Sequence, residues 1–290
     1  MLNGKAVIVT GSGQGIGAAC AKGCAKQGAS VVINDIVAAE ANATAEEIRA
    51  AGGKAVACVA DVANWEDAGR LIRTCIETFG KIDGLVNNAA LIHVGKITEF
   101  DPQRAKAVVD VNVMGTLYCS AQAVKPMVAQ GFGSIVNVTS GAHMGMQTLG
   151  VYGATKGAIA SMVYTWAIEL AGTGVRVNAL SPFGTGTKMA PEKDPLRQPP
   201  EANSPIVEYL LSDRASHVNG QLVRIDQDEV SLYTHPALLL PPAVKKKWTA
   251  EAVADTFDTE FKDRLVACGV MGMESLPIDL KTGFWSRKAA

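Results

Sequence analysis

The chain has 290 residues, with 27 basic and 28 acidic side chains and a formal net charge of −1. Hydrophobic residues make up 48% and charged residues 19%, a composition that folds around a core and excludes a disordered chain. Balanced charge argues against a nucleic-acid surface, and the one compact basic run, the three lysines at 245–247, is expected to face water.

No stretch reaches the length of an apolar membrane span, and "MLNGKAVIVTG" has no basic region followed by an apolar segment. A cytoplasmic protein with no membrane partner is expected. The cysteines at 20, 24, 58, 75, 119 and 268 are scattered. Cys20 and Cys24 lack a second pair to complete a metal set, so buried reduced thiols and no metal site are expected.

Along the chain, apolar runs alternate with helical patterns. "KAVIVTG" (5–11) reads as a strand and "IGAACAKGCAKQG" as a helix ending near Gly28. "SVVINDI" (30–36) is the next strand, "AEANATAEEIRAAG" a helix, and "KAVACVADV" (54–62) a third strand. A helix over 65–79, strand "GLVNNA" (84–89), a long helix around 104–130 and strand "GSIVNVTS" (133–140) follow. A helix from 151 to 172 leads to strand "VRVNALS" (175–181), a helix near 200–212 and strand "QLVRID" (221–226). This alternation predicts a parallel sheet with helices on both faces. The organisation predicted is a catalytic domain over 1–230 and an extension over 231–290.

Residues 190–205, "APEKDPLRQPPEANSP", are proline-rich and read as a loop. In the extension, "SLYTHPALLLPP" cannot be one long helix because prolines interrupt it. "WTAEAVADTFDTEFKDRL" is helical, with Thr249 placed to cap it.

The first strand runs into "TGSGQGIG" (10–17). Its glycines let the backbone approach a pyrophosphate, and the helix that follows offers unpaired N–H groups. The turn Gly11, Ser12, Gly13, Gln14, Gly15, Ile16 and Gly17 is therefore assigned to a dinucleotide. It lacks the GK[ST] of a triphosphate loop. Asp35, at the end of the second strand, suits the adenosine ribose hydroxyls and would repel a 2′-phosphate, which favours NAD over NADP. Asp61, beside Val62, either meets the adenine edge or caps the helix at 65. "VNNAA" (86–90) places Asn88 and Ala89 where ligands approach such sheets.

Hydride chemistry on an alcohol needs a base for the hydroxyl proton. Tyr152 and Lys156 are one helical turn apart and share a face. The ammonium favours the phenolate and would lower the tyrosine pKa. Such pairs are common, so context decides. Ser140 ends the preceding strand at the carboxyl edge, where its hydroxyl can bond a substrate oxygen. Asn112, in the apolar run "VVDVNVMG", is either a satisfied buried amide or the support of a water beside the lysine.

Taken together, "TGSGQGIG", Asp61, "NNAA" (87–90), Asn112, Ser140, "YGATK" (152–156) and "PFGTGT" (182–187) resemble the short-chain dehydrogenase/reductase family over residues 1 to about 226. The resemblance implies a Rossmann-type doubly wound parallel sheet of about seven strands. It implies a homodimer or homotetramer built on paired long helices, and a tetrad of Asn112, Ser140, Tyr152 and Lys156. In it Tyr152 is the acid/base, Ser140 the orienting donor, Lys156 the ribose anchor and Asn112 the holder of a relay water. Pro182, Gly184 and Thr187 would border the nicotinamide, Thr187 near its carboxamide.

The chain departs from the family pattern at several points. Ala90 stands where glycine is usual, and Phe183 follows Pro182 in place of glycine. The Ser140–Tyr152 spacing is one residue short, which makes Thr139 a rival for the serine role. The connection between Met189 and Pro200 is short for a substrate lid, and "IDQDEVSLYTHP" replaces the usual ending. Met144, Met146, Leu149 and Phe183 would give an apolar pocket wall, with His143 near Ser140. The substrate expected is a fairly hydrophobic secondary alcohol or ketone. A 3-oxoacyl or 3-hydroxyacyl thioester is the alternative, for which the lysines at 245–247 would suit an acidic carrier. A catalytically silent nucleotide-binding subunit is the non-enzyme alternative.

Overall fold

The architecture follows from strands whose side chains alternate between two cores. The computed structural model describes residues 1–182, 198–226 and 228–265. Strand β1 (Ala6–Val9) sends Ile8 to one face, while Val7 and Val9 go to the other. Strands β4 (Gly84–Asn87) and β5 (Gly133–Val138) do the same, with Leu85 and Ile135 on the first face and Val86 and Val136 on the second. Such runs, buried on both sides, require a helical layer on each face.

The first face is covered by α3 (Trp65–Phe79), α5 (Gly115–Gln130) and α6 (Gly150–Glu169). The second is covered by α1 (Gly15–Lys26), α2 (Ala38–Ala50) and α7 (Ser204–Leu211). The remaining strands are β2 (Ser30–Asp35), β3 (Lys54–Val59), β6 (Val175–Pro182), β7 (Leu222–Asp226) and β8 (Glu229–Leu232). Among the described residues the sheet order is β3-β2-β1-β4-β5-β6-β7-β8. All pairings are parallel except β7 with β8. This is the doubly wound Rossmann-type fold predicted, with a strand more than the sequence suggested. The order reverses between β1 and β4, which opens a crevice at the carboxyl ends of the strands.

Local signals explain the boundaries. Asn64 caps α3 by accepting from the Asp67 amide at 3.0 Å, and Gly80 ends it in the left-handed region at φ 82°. The helix predicted over 104–130 is interrupted. Helix α4 (Pro102–Val109) runs into a π-helical turn, Asp110–Met114, before α5 begins. That turn carries Asn112. A residue inserted into the α ladder displaces the local carbonyls, and such turns recur at functional sites.

The chain forms two compact units, Met1–Tyr233 and Thr234–Ala290. In the described part of the second, helix α8 (Ala250–Thr259) is capped by Thr249, which accepts from the Ala252 amide at 3.1 Å. Phe257 and Phe261 meet edge to face at 5.4 Å, and the Arg264 guanidinium lies over Phe261 while donating to the Pro241 carbonyl at 2.8 Å. "SLYTHPALLLPP" forms no helix, as its prolines require. Cys20, Cys24, Cys58, Cys75 and Cys119 are buried free thiols, and Cys268 lies outside the described residues. Among the described residues no helix is long and apolar enough to cross a membrane.

Candidate active site

The crevice begins at the glycine turn between β1 and α1. Gly11 and Gly15 adopt positive φ, 58° and 59°. Close packing explains the other two glycines. A Cβ on Gly13 would lie 2.8 Å from an Asp35 carboxylate oxygen, and one on Gly17 would lie 2.3 Å from the Gly11 carbonyl oxygen. Ser12 is buried and donates to the Val9 carbonyl at 2.6 Å, so its side chain builds the turn and does not face the crevice. Gln14 is the N-cap of α1 but makes no side-chain cap, and the first turn holds no acidic residue. Helices α3 and α4, by contrast, are capped by Asn64 and Asp101. An uncapped first turn beside a glycine bend suits a pyrophosphate, so the residues present fit a dinucleotide. Ile16 packs on the second core.

Asp35 is partly buried at the end of β2. One carboxylate oxygen accepts from the Gly13 amide at 3.2 Å and the other from the Val37 amide at 3.1 Å. This ties the acid to the glycine turn. Asp61 is exposed and accepts from the Ala63 amide at 2.9 Å, while Val62 turns its side chain into the core against Gly115. The cap of α3 is Asn64, not Asp61.

Asn88 works differently from a ligand-facing amide. Its Nδ2 donates to the Thr10 and Gly11 carbonyls, both at 2.9 Å. Thr10 Oγ1 accepts from the Asn88 and Ala89 amides, both at 3.0 Å. Sequence reasoning missed Thr10 as the pin that joins β1 to the end of β4; a hydroxyl directly before the first glycine was the available signal. Beneath, Asn87 Nδ2 donates to Ser120 Oγ and Asn137 Oδ1, both at 2.9 Å, and fastens α5 to the sheet.

Ser140, Tyr152 and Lys156 come together at the end of β5 and the start of α6. Small residues make this approach possible. A Cβ on Gly153 would sit 2.6 Å from the Ala142 carbonyl oxygen. Ser140 Oγ accepts from the Ala142 amide at 3.3 Å, and the serine hydroxyl acts to lower the Tyr152 pKa. Lys156 is 2% exposed; its Nζ donates to the Val138 carbonyl at 2.7 Å and lies 5.5 Å from the Tyr152 ring centroid. Thr139, the rival for the serine role, is occupied elsewhere, donating to the Lys156 carbonyl at 3.0 Å.

The electrostatics differ from expectation at one point. Burial pushes the Tyr152 pKa up, and the Ser140 hydrogen bond only partly opposes it. The anticipated lowering by the lysine does not prevail, because burial also takes Lys156 down to about 7. A lysine whose charge is disfavoured by burial is a weaker partner for a phenolate.

Asn112 is fully buried and fully satisfied. Its Oδ1 accepts from the Leu91 amide at 2.7 Å; its Nδ2 donates to the Leu91 carbonyl at 3.0 Å and to Thr155 Oγ1 at 2.9 Å. The side chain thus braces the loop after β4 against α6. Its carbonyl accepts from Thr116 Oγ1 at 2.7 Å. Pro182 ends β6; Phe183, Gly184, Thr187 and Met189 lie outside the described residues.

The residues that carry this geometry fall within a match to the family described as short chain dehydrogenase, which spans residues 5–197. The chain belongs to the short-chain dehydrogenase family. Its members of known structure include a short chain dehydrogenase from Mycobacterium avium, similar at 33% identity with a TM-score of 0.81, covering 89% of this chain and 96% of that one. A 3-ketoacyl-(acyl-carrier-protein) reductase from Brucella melitensis, complexed with NADH, is 31% identical with a TM-score of 0.74, over 78% of this chain and 98% of that one. Among curated relatives, the (2S)-[(R)-hydroxy(phenyl)methyl]succinyl-CoA dehydrogenase subunit BbsD of Thauera aromatica is 32% identical over 237 residues, 77% of this chain and 96% of its own length. As a short-chain dehydrogenase the chain is an oxidoreductase of CH–OH groups that uses an NAD(P)-type dinucleotide.

Two side chains outside the motifs adjoin the site. His143 Nδ1 lies 2.5 Å from the Ser140 carbonyl oxygen, and the His143 ring packs on Tyr233 at 5.3 Å. Tyr233 follows β8, the strand that sequence reasoning did not find. Its nearest signal was the departure from the usual ending after residue 226.

Proposed function

We propose that the protein is an NAD-dependent enzyme interconverting 3-hydroxyacyl and 3-oxoacyl thioesters, with Tyr152 as the acid/base. The observation that carries the chemistry is the convergence of Ser140, at the end of β5, with Tyr152 and the buried Lys156 one turn apart on α6, where Nζ of the lysine lies 5.5 Å from the tyrosine ring centroid.

A nicotinamide held by these residues would supply hydride transfer to and from the carbinol carbon. The residues of the chain manage the proton. In reduction, Tyr152 donates its hydroxyl proton to the carbonyl oxygen as negative charge develops there, and Ser140 donates a hydrogen bond to the same oxygen. In oxidation, the Tyr152 phenolate accepts the alcohol proton. The raised pKa of Tyr152 keeps it a phenol at neutral pH, which suits reduction. Lys156 would hold the nicotinamide ribose and, when charged, favour the phenolate. Asn112 holds the Leu91 loop and α6 in register. The glycine turn and α1 would hold the pyrophosphate, Asp35 the adenosine ribose, and Asp61 and the Val62 backbone the adenine. Asn88 and Ala89 would border the ring, with Pro182, Gly184 and Thr187 beside the nicotinamide. An aspartate tied to the glycine turn favours NAD, since a 2′-phosphate there would meet its charge.

Two similar proteins support the thioester reading. One is named as a reductase of 3-ketoacyl groups on an acyl carrier protein, the other as a dehydrogenase subunit of a substituted succinyl-CoA. A second reading, a hydrophobic secondary alcohol, is favoured by the part-buried Met144, Met146 and Leu149, which follow Ser140 in the chain. A homodimer or homotetramer in the cytoplasm completes the proposal; size-exclusion chromatography with light scattering tests the assembly.

A substrate panel tests the choice, with acetoacetyl-CoA, 3-hydroxybutyryl-CoA, cyclohexanone and cyclohexanol followed by NADH absorbance. A kcat/KM for the thioesters at least about tenfold above that for the cyclic pair supports the proposal, and the reverse selects the second reading.

A further inference from the structure

We infer that Tyr233 is a positioning residue that fixes Ser140 for proton transfer by holding the His143 ring. The inference rests on the assignment of Ser140 and Tyr152 made above.

It begins with strand order. Strand β8 returns antiparallel along β7, pairing Asp226 with Glu229 and Val223 with Leu232. All four of its residues are exposed, whereas Tyr233, directly after it, is partly buried. The Tyr233 amide donates to the Leu222 carbonyl at 3.0 Å, which extends the pairing by one step. The side chain then reaches inward against the core under α6. Its hydroxyl is 2.9 Å from Ser181 Oγ, at the end of β6, and accepts from Arg224 at 3.4 Å. Arg224 is itself paired with Asp226 at 3.3 Å. A fully buried serine and a paired arginine therefore hold the tip of the ring.

The face of that ring carries His143, with the planes tilted by 47°. A carbonyl can only accept, so Nδ1 of His143 bears the proton in the contact with the Ser140 carbonyl. The same carbonyl accepts from the His143 amide at 3.2 Å. Two donors from one residue thus clamp the backbone of Ser140, while its hydroxyl meets Tyr152. His143 is already partly exposed on a short 3₁₀ turn, and among the described residues Tyr233 is the one ring packed on it. Without that ring its imidazole would leave the carbonyl, and the serine hydroxyl would lose its fixed direction. Distances of tenths of an ångström matter to proton transfer.

Full-length Tyr233→Phe, Tyr233→Leu, His143→Phe and the double variant His143→Phe/Tyr233→Leu test this, with Tyr152→Phe alongside. The assays are the reduction of acetoacetyl-CoA and of cyclohexanone, with NADH binding by fluorescence. His143→Phe keeps the ring pair and removes only the donor to Ser140. We expect His143→Phe and Tyr233→Leu each to lower kcat about tenfold with the NADH Kd within about twofold, and the double variant to lose no more than either alone. Tyr233→Phe, which keeps the ring, should retain most activity. In alcohol oxidation the ascending limb of kcat should move to higher pH in His143→Phe and Tyr233→Leu, because a displaced serine no longer favours the phenolate. Wild-type kcat in His143→Phe, additive losses in the double variant, or a loss confined to KM with an unmoved pH limb would each overturn the inference. If Tyr152→Phe still turns over, the acid/base assignment fails instead. If it is inactive while His143→Phe is normal, the assignment stands and the positioning role falls.

Discussion

Asn112 and Thr155 are joined by a hydrogen bond of 2.9 Å, from the amide Nδ2 of one to the Oγ1 of the other. Thr155 passes the link on, donating to the Tyr152 carbonyl at 2.8 Å. A π-helical turn on one element is thereby locked to the turn of α6 that presents the tyrosine. With both Leu91 bonds in place, both Nδ2 hydrogens of Asn112 are used and one lone pair of Oδ1 is left.

Replacing Asn112 by Ala strands the Leu91 backbone groups and the Thr155 hydroxyl. The expected loss is about 2 kcal/mol, seen as a melting temperature lower by roughly 4–8 °C. Turnover should fall with it, since α6 loses a brace. A melting curve identical to wild type would show that water replaces the amide at no cost.

Lys156 makes stability depend on pH in a definite direction. Its folded pKa is depressed to about 7, below its ordinary value of 10.5. Between those values the unfolded chain binds more protons than the folded one, so stability rises with pH. The buried thiols of Cys20, Cys75 and Cys119, raised to about 12, act oppositely above pH 9. The lysine is therefore isolated by difference. Lys156→Met, free of dinucleotide, should be the more stable protein at pH 7, and its advantage should shrink toward pH 9. Denaturant unfolding across this range checks the sign; a gap that widens with pH contradicts it.

Gly17→Ala should fail for a steric reason. The new Cβ would lie 2.3 Å from the Gly11 carbonyl oxygen and 2.5 Å from Asn88 Nδ2. The glycine turn must shift, at a cost of about 1–3 kcal/mol in stability. NADH affinity should fall at least about tenfold, because the backbone that would meet the pyrophosphate moves. Fluorescence titration reads the affinity, and an unchanged Kd would remove the turn from the binding site.

Asp35→Ala should bring kcat/KM with NADPH closer to that with NADH. The carboxylate that would repel a 2′-phosphate is gone, and so are its bonds to Gly13 and Val37. An unaltered ratio of the two coenzymes would contradict the ribose assignment.

The parallel sheet was legible because its strands bury both faces, leaving short Val- and Ile-rich runs between helical periods. Thr249 was readable as local punctuation, whereas Asp61 was offered as the cap of α3 and Asn64 fills that place. The π turn at Asn112 was not, since one inserted residue leaves hydrophobic periodicity nearly unchanged. Strand β8 was hidden for a related reason: "DEVSL" buries no face, and only its pairing with β7 makes it a strand. At the site, Ser140, Tyr152 and Lys156 could be found by spacing and strand position. Thr155 and Tyr233 could not, because each acts through contacts with residues far away in the chain, and Thr10 was missed despite its place directly before the first glycine. The direction of the Tyr152 pKa was missed because burial acts on the tyrosine and the lysine together, and sequence does not give burial depth.

The central claim is that Tyr152 moves the proton. Tyr152→Phe removes one oxygen and leaves the ring in its place. Acetoacetyl-CoA reduction and cyclohexanol oxidation should both fall by at least about a thousandfold in kcat, with the NADH Kd within about threefold of wild type. Turnover within about tenfold of wild type in either assay, with NADH still bound, would contradict the account.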